Sequence, residues 1–549
     1  MIHYVLLAAL TWLAWKLVRA LMPSRSQIDK LPGPPSTSWL TGHLPQIYDN
    51  QGWAFHGEIA KYGPVFKLQN TLGRPMLCVY DPVAMHSIAV KDAHIFEEMQ
   101  WFLDLTYDTF GPGLLSTVGD THRKQRKLIN PVFSSKNLQR LTPVFYEVVG
   151  RLTQGIGALV KTGTAEVDMA DFFGRTALEL VGQAAVGHSF DPLTEIKHNP
   201  YSDALKAYLP TLYTLSSYFQ LYAFLRPLIP PPLRRPLANL LPSRRMKAVL
   251  HILDTMHESA VEIYNEKKRE AAANGLRNDD ASDRAKDLMT VLLQANAGAS
   301  EEDTLPEEEL ISQLSTFLFA ATDTTSSALA LTLHRLAGRT DVQEKLREEV
   351  QAAKRRHGGG AIPYDELVAL PYLDAVCRET LRVHVVAPLR FREARADAVL
   401  PLSKPVRGTD GELLHSIFVP KGTRIFVLIQ ASNVSPELWG ADAHEWRPER
   451  WLEPLPDALA GAKIPGVYSN LMTFWGGGRA CIGFKFSQLE MKVVLAELLA
   501  AFSFEEAGKP IAWNIGEAIY PTIGQCSTRP EFPMKVTALK PASFTETTG

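Results

Sequence analysis

The stretch "FWGGGRACIGF", Phe474 to Phe484, sets four glycines, Arg479 and Cys481 within eleven residues, just ahead of a helical pattern. A helix start presents unpaired N–H groups and the positive end of the helix dipole, so the Cys481 thiol is expected to ionise easily. Gly477 and Gly483 carry no Cβ and let the backbone come close to a flat partner. Arg479, two residues before the cysteine, can pair with a carboxylate on that partner. The other cysteines are Cys78, Cys377 and Cys526. They form no CxxC pair, so neither a zinc site nor a disulfide framework is signalled, and each is expected as a buried reduced thiol. Two more constellations lie on helical spacing. Glu379 and Arg382 stand at i and i+3, where acid and base can pair. Thr324 lies four residues after Ala320 on the same face, with Asp323 one step round, and a threonine hydroxyl can bond back to the i−4 carbonyl and loosen the helix.

The elements that must position these residues are mainly helices. Glu308 to Arg335, Asp341 to Arg356, Tyr372 to His384 and Phe486 to Phe502 all carry helical apolar spacing. Short β-rich runs, "RIFVLIQ" (Arg424 to Gln430) and "MLCVY" (Met76 to Tyr80), lie between them. The charged stretch from Glu266 to Asp287 is expected as a solvated helix end plus loop. Over 549 residues no linker, repeat or low-complexity tract marks a boundary beyond the first forty, and 46% hydrophobic content can fill one large core. A formal net charge of −2 gives no pull toward nucleic acid. The expected class is mainly α with small sheets.

The front end divides in two. Ile2 to Met22 is mostly apolar and as a helix would span roughly 32 Å, enough to cross a bilayer core. Lys and Arg follow this stretch and none precedes it, which argues for an uncleaved anchor with the rest of the chain cytoplasmic, rather than a signal peptide. The expected division is an anchor over residues 1–22, a proline-rich hinge over 23–40 carrying "LPGPP", and a catalytic unit over 41–549. Asn433-Val434-Ser435 is a formal glycosylation sequon that this topology leaves unmodified.

Phe474-x-x-Gly477-x-Arg479-x-Cys481-x-Gly483 resembles the haem-binding loop of the cytochrome P-450 superfamily, and four further stretches resemble the family in order: "THRKQRKLINPVF" (Thr121 to Phe133), "FLFAATDTTSSAL" (Phe317 to Leu329), "ETLR" (Glu379 to Arg382) and "EWRPERW" (Glu445 to Trp451). The style of the chain is similar to fungal, basidiomycete-type microsomal members. The resemblance implies haem b (iron protoporphyrin IX), with Cys481 as the axial iron ligand, Phe474 shielding the sulfur side, and Arg479, Arg126, His122 and Arg392 meeting the haem propionates. It implies a buried structural network of Glu379, Arg382 and Arg450, and a proton-delivering pair, Asp323 and Thr324. The family usually has glycine where Ala321 stands and often tryptophan at the position of His122.

The implied reaction inserts one oxygen atom of O2 into a C–H bond. Its electrons come from NADPH through a membrane-bound NADPH–cytochrome P-450 reductase docked near Lys124, Lys127 and Lys485, and the chain sits in the endoplasmic reticulum membrane as a single-pass protein. The alternatives are a haem-thiolate isomerase or dehydratase that needs no O2, against which the acid–alcohol pair argues, and a non-catalytic haem protein. Pocket walls are expected from Phe96 to Leu115, Tyr208 to Phe224, Phe317 to Ala321, Val385 to Leu389 and the region near Ile519. Phe102, Tyr107, Phe110, Tyr213 and Phe219 are available there, with no charge to hold an acid or amine. A neutral lipophilic substrate follows, a terpenoid first, with xenobiotic aromatics or sterols as alternatives. "LRPLIPPPLRRPLANLLPSRR" (Leu225 to Arg245) suits either a second membrane contact or a proline-broken surface loop.

Overall fold

The computed structural model describes Thr11 and residues 26–161, 163–195, 199–213, 215, 222, 225–273 and 287–539. Apart from Thr11, the expected anchor at residues 1–22 lies outside the described residues, as do the start of the hinge, Phe219, and residues 274–286 of the charged stretch. Among the described residues no helix is long and apolar enough to cross a membrane.

Among the described residues the main helices include α1 (Gln100–Phe110), α2 (Gly119–Ile129), α3 (Ser135–Leu159), α4 (Met169–Val181), α5 (Pro200–Tyr213), α6 (Pro231–Leu240), α7 (Arg244–Ala273), α8 (Glu307–Ala337), α9 (Thr340–Arg356), α10 (Pro371–Val383) and α11 (Phe484–Ala501). The four helices expected from apolar spacing are α8 to α11, each ending within two residues of the expected limits. Helix α8 is the hub and packs against α1, α4, α7, α9, α10 and α11. Three glutamates in its first turn and His334 and Arg335 in its last complement the helix dipole. It is buried on nearly every side, as expected of a helix running through a core.

Beside the helices lies a five-stranded sheet of β1 (Val65–Gln69), β2 (Pro75–Val79), β3 (Phe96–Glu97), β4 (Arg390–Ala394) and β5 (Arg424–Val427), in the order β1-β2-β5-β4-β3. Only the β2–β5 pair is parallel. "RIFVLIQ" is strand only as far as Val427; its end turns into the short helix Ile429–Asn433. There Gln430 donates to Val383 O at 2.6 Å and accepts from the Val385 N–H at 3.0 Å, fixing the exit of α10. The described part of the hinge is docked on this sheet: Ile28 and Leu31 are fully buried and the Lys67 N–H donates to Pro32 O at 2.9 Å. The proline-rich stretch after Leu225 forms helix α6 rather than a loop, with Leu233, Leu237 and Leu240 exposed along one face. Asn433 of the sequon is buried and bonded internally, so its amide is out of reach of any glycosyl donor.

The pairing expected on α10 forms with both partners fully buried. Arg382 donates twice to Glu379, at 2.8 and 2.7 Å, and also to the carbonyls of Asn433, Ala443 and Glu445. Glu379 accepts further from the Trp451 indole at 2.9 Å and the Arg447 N–H at 3.0 Å. Arg450 joins the network as expected, donating from Nε to Glu379 at 3.5 Å, and it binds Asp442 more closely, at 2.8 Å. The network therefore has two acids for two arginines, and the Arg450 guanidinium holds the Asp442 carboxyl below its usual range. Removing one partner of a buried pair leaves an uncompensated charge at a cost of about 3–5 kcal/mol. Glu379→Gln is expected to destabilise the protein by that amount, read as a lowered midpoint in denaturant unfolding, whereas Lys404→Gln, which breaks an exposed pair with Glu437, should leave the midpoint unchanged.

Candidate active site

A hairpin delivers the cysteine. Strands β6 (Gly466–Tyr468) and β7 (Leu471–Gly476) are joined by Ser469 and Asn470, both at positive φ, the geometry that matches the twist of paired strands. A register shift along β7 and a positive φ at Trp475 turn the chain out of the sheet. A short turn, Gly477–Arg479, follows, and α11 starts at Phe484. The Cys481 N–H closes the loop onto Phe474 O at 2.9 Å. The hairpin is hung from the buried network: Thr473 donates to Leu381 O at 2.7 Å, and Asn433, whose carbonyl accepts from Arg382, bonds Thr473 and the Met472 N–H.

The glycines divide by function. A Cβ on Gly477, at φ +62°, would lie 2.0 Å from Ala89 O, so this glycine serves a close approach of the protein to itself. At Gly483 and Gly478 a Cβ would meet nothing within 4 Å. Cys481 shows exposed surface although packing removes it from bulk water, so that surface faces an interior cavity. Burial pushes its thiol up, against the Gly483 N–H and the Arg126 and Arg390 charges, which pull it down. The expectation of an easily ionised thiol is thus reversed in the protein alone: desolvation outweighs the helix start. The remaining cysteines also differ from one another. Cys78 and Cys377 are buried with raised thiols, Cys377 to about 12, whereas Cys526 is exposed.

Around Cys481 the structure gathers the basic residues singled out by sequence. Arg126 on α2 donates to Ala480 O at 2.6 Å. Arg479 donates to Glu97 at 3.0 Å and Thr117 O at 2.8 Å. Arg392 on β4 donates to Glu98 at 2.9 Å and lies 4.2 Å over the Trp475 ring. His122 is buried, and desolvation with the charges of Arg479 and Arg126 lowers it to about 3, leaving a neutral ring. Arg390, missed by the sequence reading, also acts on Cys481 and Arg392. Four guanidiniums, Arg126, Arg390, Arg392 and Arg479, thus gather here; Glu97 and Glu98 bond two of them, and Arg390 also acts on the carboxyl of Glu517. Phe474 packs against Tyr468 and Phe484 at ring distances of 5.5 and 6.2 Å.

The acid–alcohol pair sits on α8. Thr324 donates to Ala320 O at 2.8 Å, as the spacing predicts, yet the helix runs unbroken from Glu307 to Ala337 and is not opened by that bond. Ala320 is exposed, with Phe319, Ala321, Asp323 and Thr324 half-buried around it, so this turn of α8 is not sealed by packing. Burial raises Asp323 to about 6, opposed by Lys206. Aromatic rings continue the wall: Phe319 packs against Phe110 at 4.7 Å and Tyr208 at 5.8 Å. Three acids or amides here carried no sequence signal. Both carboxyl oxygens of buried Glu490 on α11 lack a hydrogen-bond partner among the described residues, with Thr325 as polar neighbour, and burial holds the group well above the carboxylate range. Gln125 ties α2 to α8 through Glu309 at 2.6 Å. Glu517, two residues before Ile519, is half-buried, and burial raises its carboxyl against the pull of Arg390.

A family model described as Cytochrome P450 matches residues 32–516. The chain is 49% identical to cytochrome P450 monooxygenase 91 of Postia placenta, over 98% of its own length and 99% of the relative's. The chain belongs to the cytochrome P450 family. It is also similar to cytochrome P450 monooxygenase 81 of the same fungus, at 48% identity over 93% of each chain. The ganoderic acid synthetase of Ganoderma lucidum is 46% identical over 94% of this chain and 95% of its own. Membership makes the protein a P450 monooxygenase and implies a haem cofactor. The residues present fit that group: a sulfur with exposed surface, open space at Gly483, and a cluster of four guanidiniums for the two propionates of protoporphyrin IX. Arg479→Leu is expected to weaken haem retention at least tenfold while the apoprotein stays folded, measured by haem transfer to apomyoglobin and by circular dichroism. Cys481→Ser should abolish the thiolate signature of the reduced CO complex.

Proposed function

We propose that this P450 hydroxylates a neutral lipophilic small molecule, a terpenoid first, inserting one oxygen atom of O2 into a C–H bond with electrons passed from NADPH by a membrane-bound reductase. The observation that carries the reading is the pair Asp323–Thr324 facing an interior cavity whose neighbouring wall is aromatic. Cys481 would ligate the iron, Arg126, His122, Arg392 and Arg479 would hold the propionates, and Phe474 would cover the sulfur. Bound haem supplies the redox chemistry that activates O2. The chain's own residues supply protons and shape. Asp323 near 6 can take a proton from water and release it at neutral pH. The Thr324 hydroxyl, held on Ala320 O, can turn toward the cavity and pass that proton on. The aromatic wall excludes water and offers a neutral skeleton no competing polar grip. A relative named for the synthesis of ganoderic acid, a terpenoid, supports the substrate class.

The same reading places the chain in the endoplasmic reticulum membrane, anchored by residues 1–22 with the catalytic unit in the cytosol. The exposed leucines of α6, with Trp39 and Leu40 at 58% and 61% exposure, support a second contact with the bilayer. Lys124 and Lys485 suit the reductase docking face; Lys127 is held by Asp303 at 2.6 Å.

The test is turnover in yeast microsomes with a fungal reductase, NADPH and ¹⁸O2 over terpenes, sterols and aromatics. One heavy oxygen per product is expected, and conversion without it would replace this reading by an isomerase or dehydratase. Thr324→Ala should keep NADPH oxidation while product falls roughly a hundredfold. Product formed per NADPH should fall as pH rises above about 6, where Asp323 loses its proton, and Asp323→Asn should remove that limb of the profile.

A further inference from the structure

One face of α8 carries polar side chains from its first turn inward. At about 100° per residue, Glu309, Gln313, Thr316, Ala320 and Thr324 fall within roughly 80° of arc. The outer half of that face lies against α2 and the loop 111–117. Gln125, fully buried on α2, donates to Glu309 at 2.6 Å and to Pro112 O at 2.8 Å, and it accepts from Thr117 at 2.9 Å. The Leu114 N–H donates to Gln313 Oε1 at 3.1 Å. A Cβ on Gly113 would stand 2.8 Å from Thr316 Oγ1, so the loop passes closely over this threonine. The inner half is not sealed, with Ala320 exposed and Thr324 half-buried.

Two polar atoms on this face are left over. Gln313 is fully buried and Thr316 nearly so, yet Gln313 Nε2 and Thr316 Oγ1 have no hydrogen-bond partner among the described residues. Other hydroxyls of α8 behave differently. Ser312, Thr322, Thr324 and Thr332 each donate to the carbonyl four residues earlier, at 2.7 or 2.8 Å, and Thr316 does not. Its hydroxyl is turned off the helix. Three residues apart, the side chains of Gln313 and Thr316 are neighbours on one face. A buried amide donor and a buried hydroxyl are costly without partners, and one water bonded to both removes that cost.

We propose that a water molecule is held between Gln313 and Thr316 and belongs to a second proton route, which runs along α8 from Glu309 to the Thr324 hydroxyl. The proposal rests on the monooxygenase reading and adds a path that does not pass through Asp323. Glu309, half-buried in the first turn, supplies an acid at the solvent end, one turn from Gln313. Between Thr316 and Thr324 this face carries only the methyl group of Ala320, whose exposed surface leaves room for water. The bridging water accepts a proton on one side and gives up one of its own on the other. Each side chain and each water therefore ends as it began, and one proton has moved from solvent to Thr324. Gly113 belongs to the same arrangement, because a side chain there would take the space beside Thr316 Oγ1.

The test uses the holoenzyme. Its crystal structure should show an ordered water within hydrogen-bond distance of Gln313 Nε2 and Thr316 Oγ1, and Thr316→Val should remove it. A dry site in the wild type overturns the proposal, as does a water unmoved by Thr316→Val. A second readout needs no substrate. With reductase and NADPH alone, O2 takes two electrons and two protons to leave as peroxide, or four of each to leave as two waters. The second course depends on protons reaching Thr324. In an Asp323→Asn background, Thr316→Val should lower the share leaving as water about tenfold while NADPH oxidation continues. Thr316→Ser, which keeps the hydroxyl, should restore most of that share, in variants whose reduced CO complex shows intact thiolate haem. An unchanged share with Thr316→Val overturns the proposal, and so does an equal loss with Thr316→Ser, which marks packing as the cause. The ¹⁸O2 assay reads separately: heavy-oxygen product alongside any of the overturning results rejects this route and leaves the monooxygenase reading standing.

Discussion

Glu379 and Arg382 meet in a place without water, and an ion pair there is tolerable only when every remaining lone pair and proton is met. Arg382 uses its spare protons on three carbonyls from the segment between Asn433 and Glu445, and Glu379 accepts from Trp451 and the Arg447 backbone. That requirement pulls a long irregular stretch against α10. Asn433, caught in this way, holds the strand that leads to Cys481. The position of the sulfur is thus set by a hydrogen-bonded core some distance behind it, and the chemistry inherits its geometry from an electrostatic constraint.

On the other side of the cysteine the balance is reversed. Four guanidiniums converge, and Arg126 and Arg392 are pushed down by desolvation and by the nearby charge of Arg479. Mutual repulsion of this kind is destabilising in the protein alone and becomes favourable once a dianionic group lies among the arginines. The same holds for the thiol, which burial keeps protonated until a cation sits beside it. Both features are those of a site completed by its ligand.

Three acids near the cavity, Asp323, Glu490 and Glu517, are all raised by burial, but to different ends. Asp323 comes to rest near neutral pH, where a proton can be held and released. Glu490, sealed beside Thr325, is held well above the carboxylate range. Glu517 is half-buried in a turn. Their environments separate three groups that are chemically alike, since desolvation grows with enclosure while each neighbouring charge acts only locally.

Local patterns were legible from residues alone. The ends of α8 to α11 follow from apolar spacing with proline, glycine and charged caps, because those preferences act within a turn or two of helix. The pairing of Glu379 with Arg382 and the bond from Thr324 to Ala320 follow for the same reason, each lying within one turn. The spacing around Cys481, with four further stretches in order, carried the resemblance to the family. Contacts between distant segments were not legible. Gly477 is crowded by Ala89, nearly four hundred residues earlier in the chain. Asp442 joins the network as a second acid for Arg450, and the Cys481 thiol is raised rather than lowered. Each of these depends on which surfaces the packed helices and sheet exclude from water, and burial of that kind is a property of the whole fold that no short window of sequence contains.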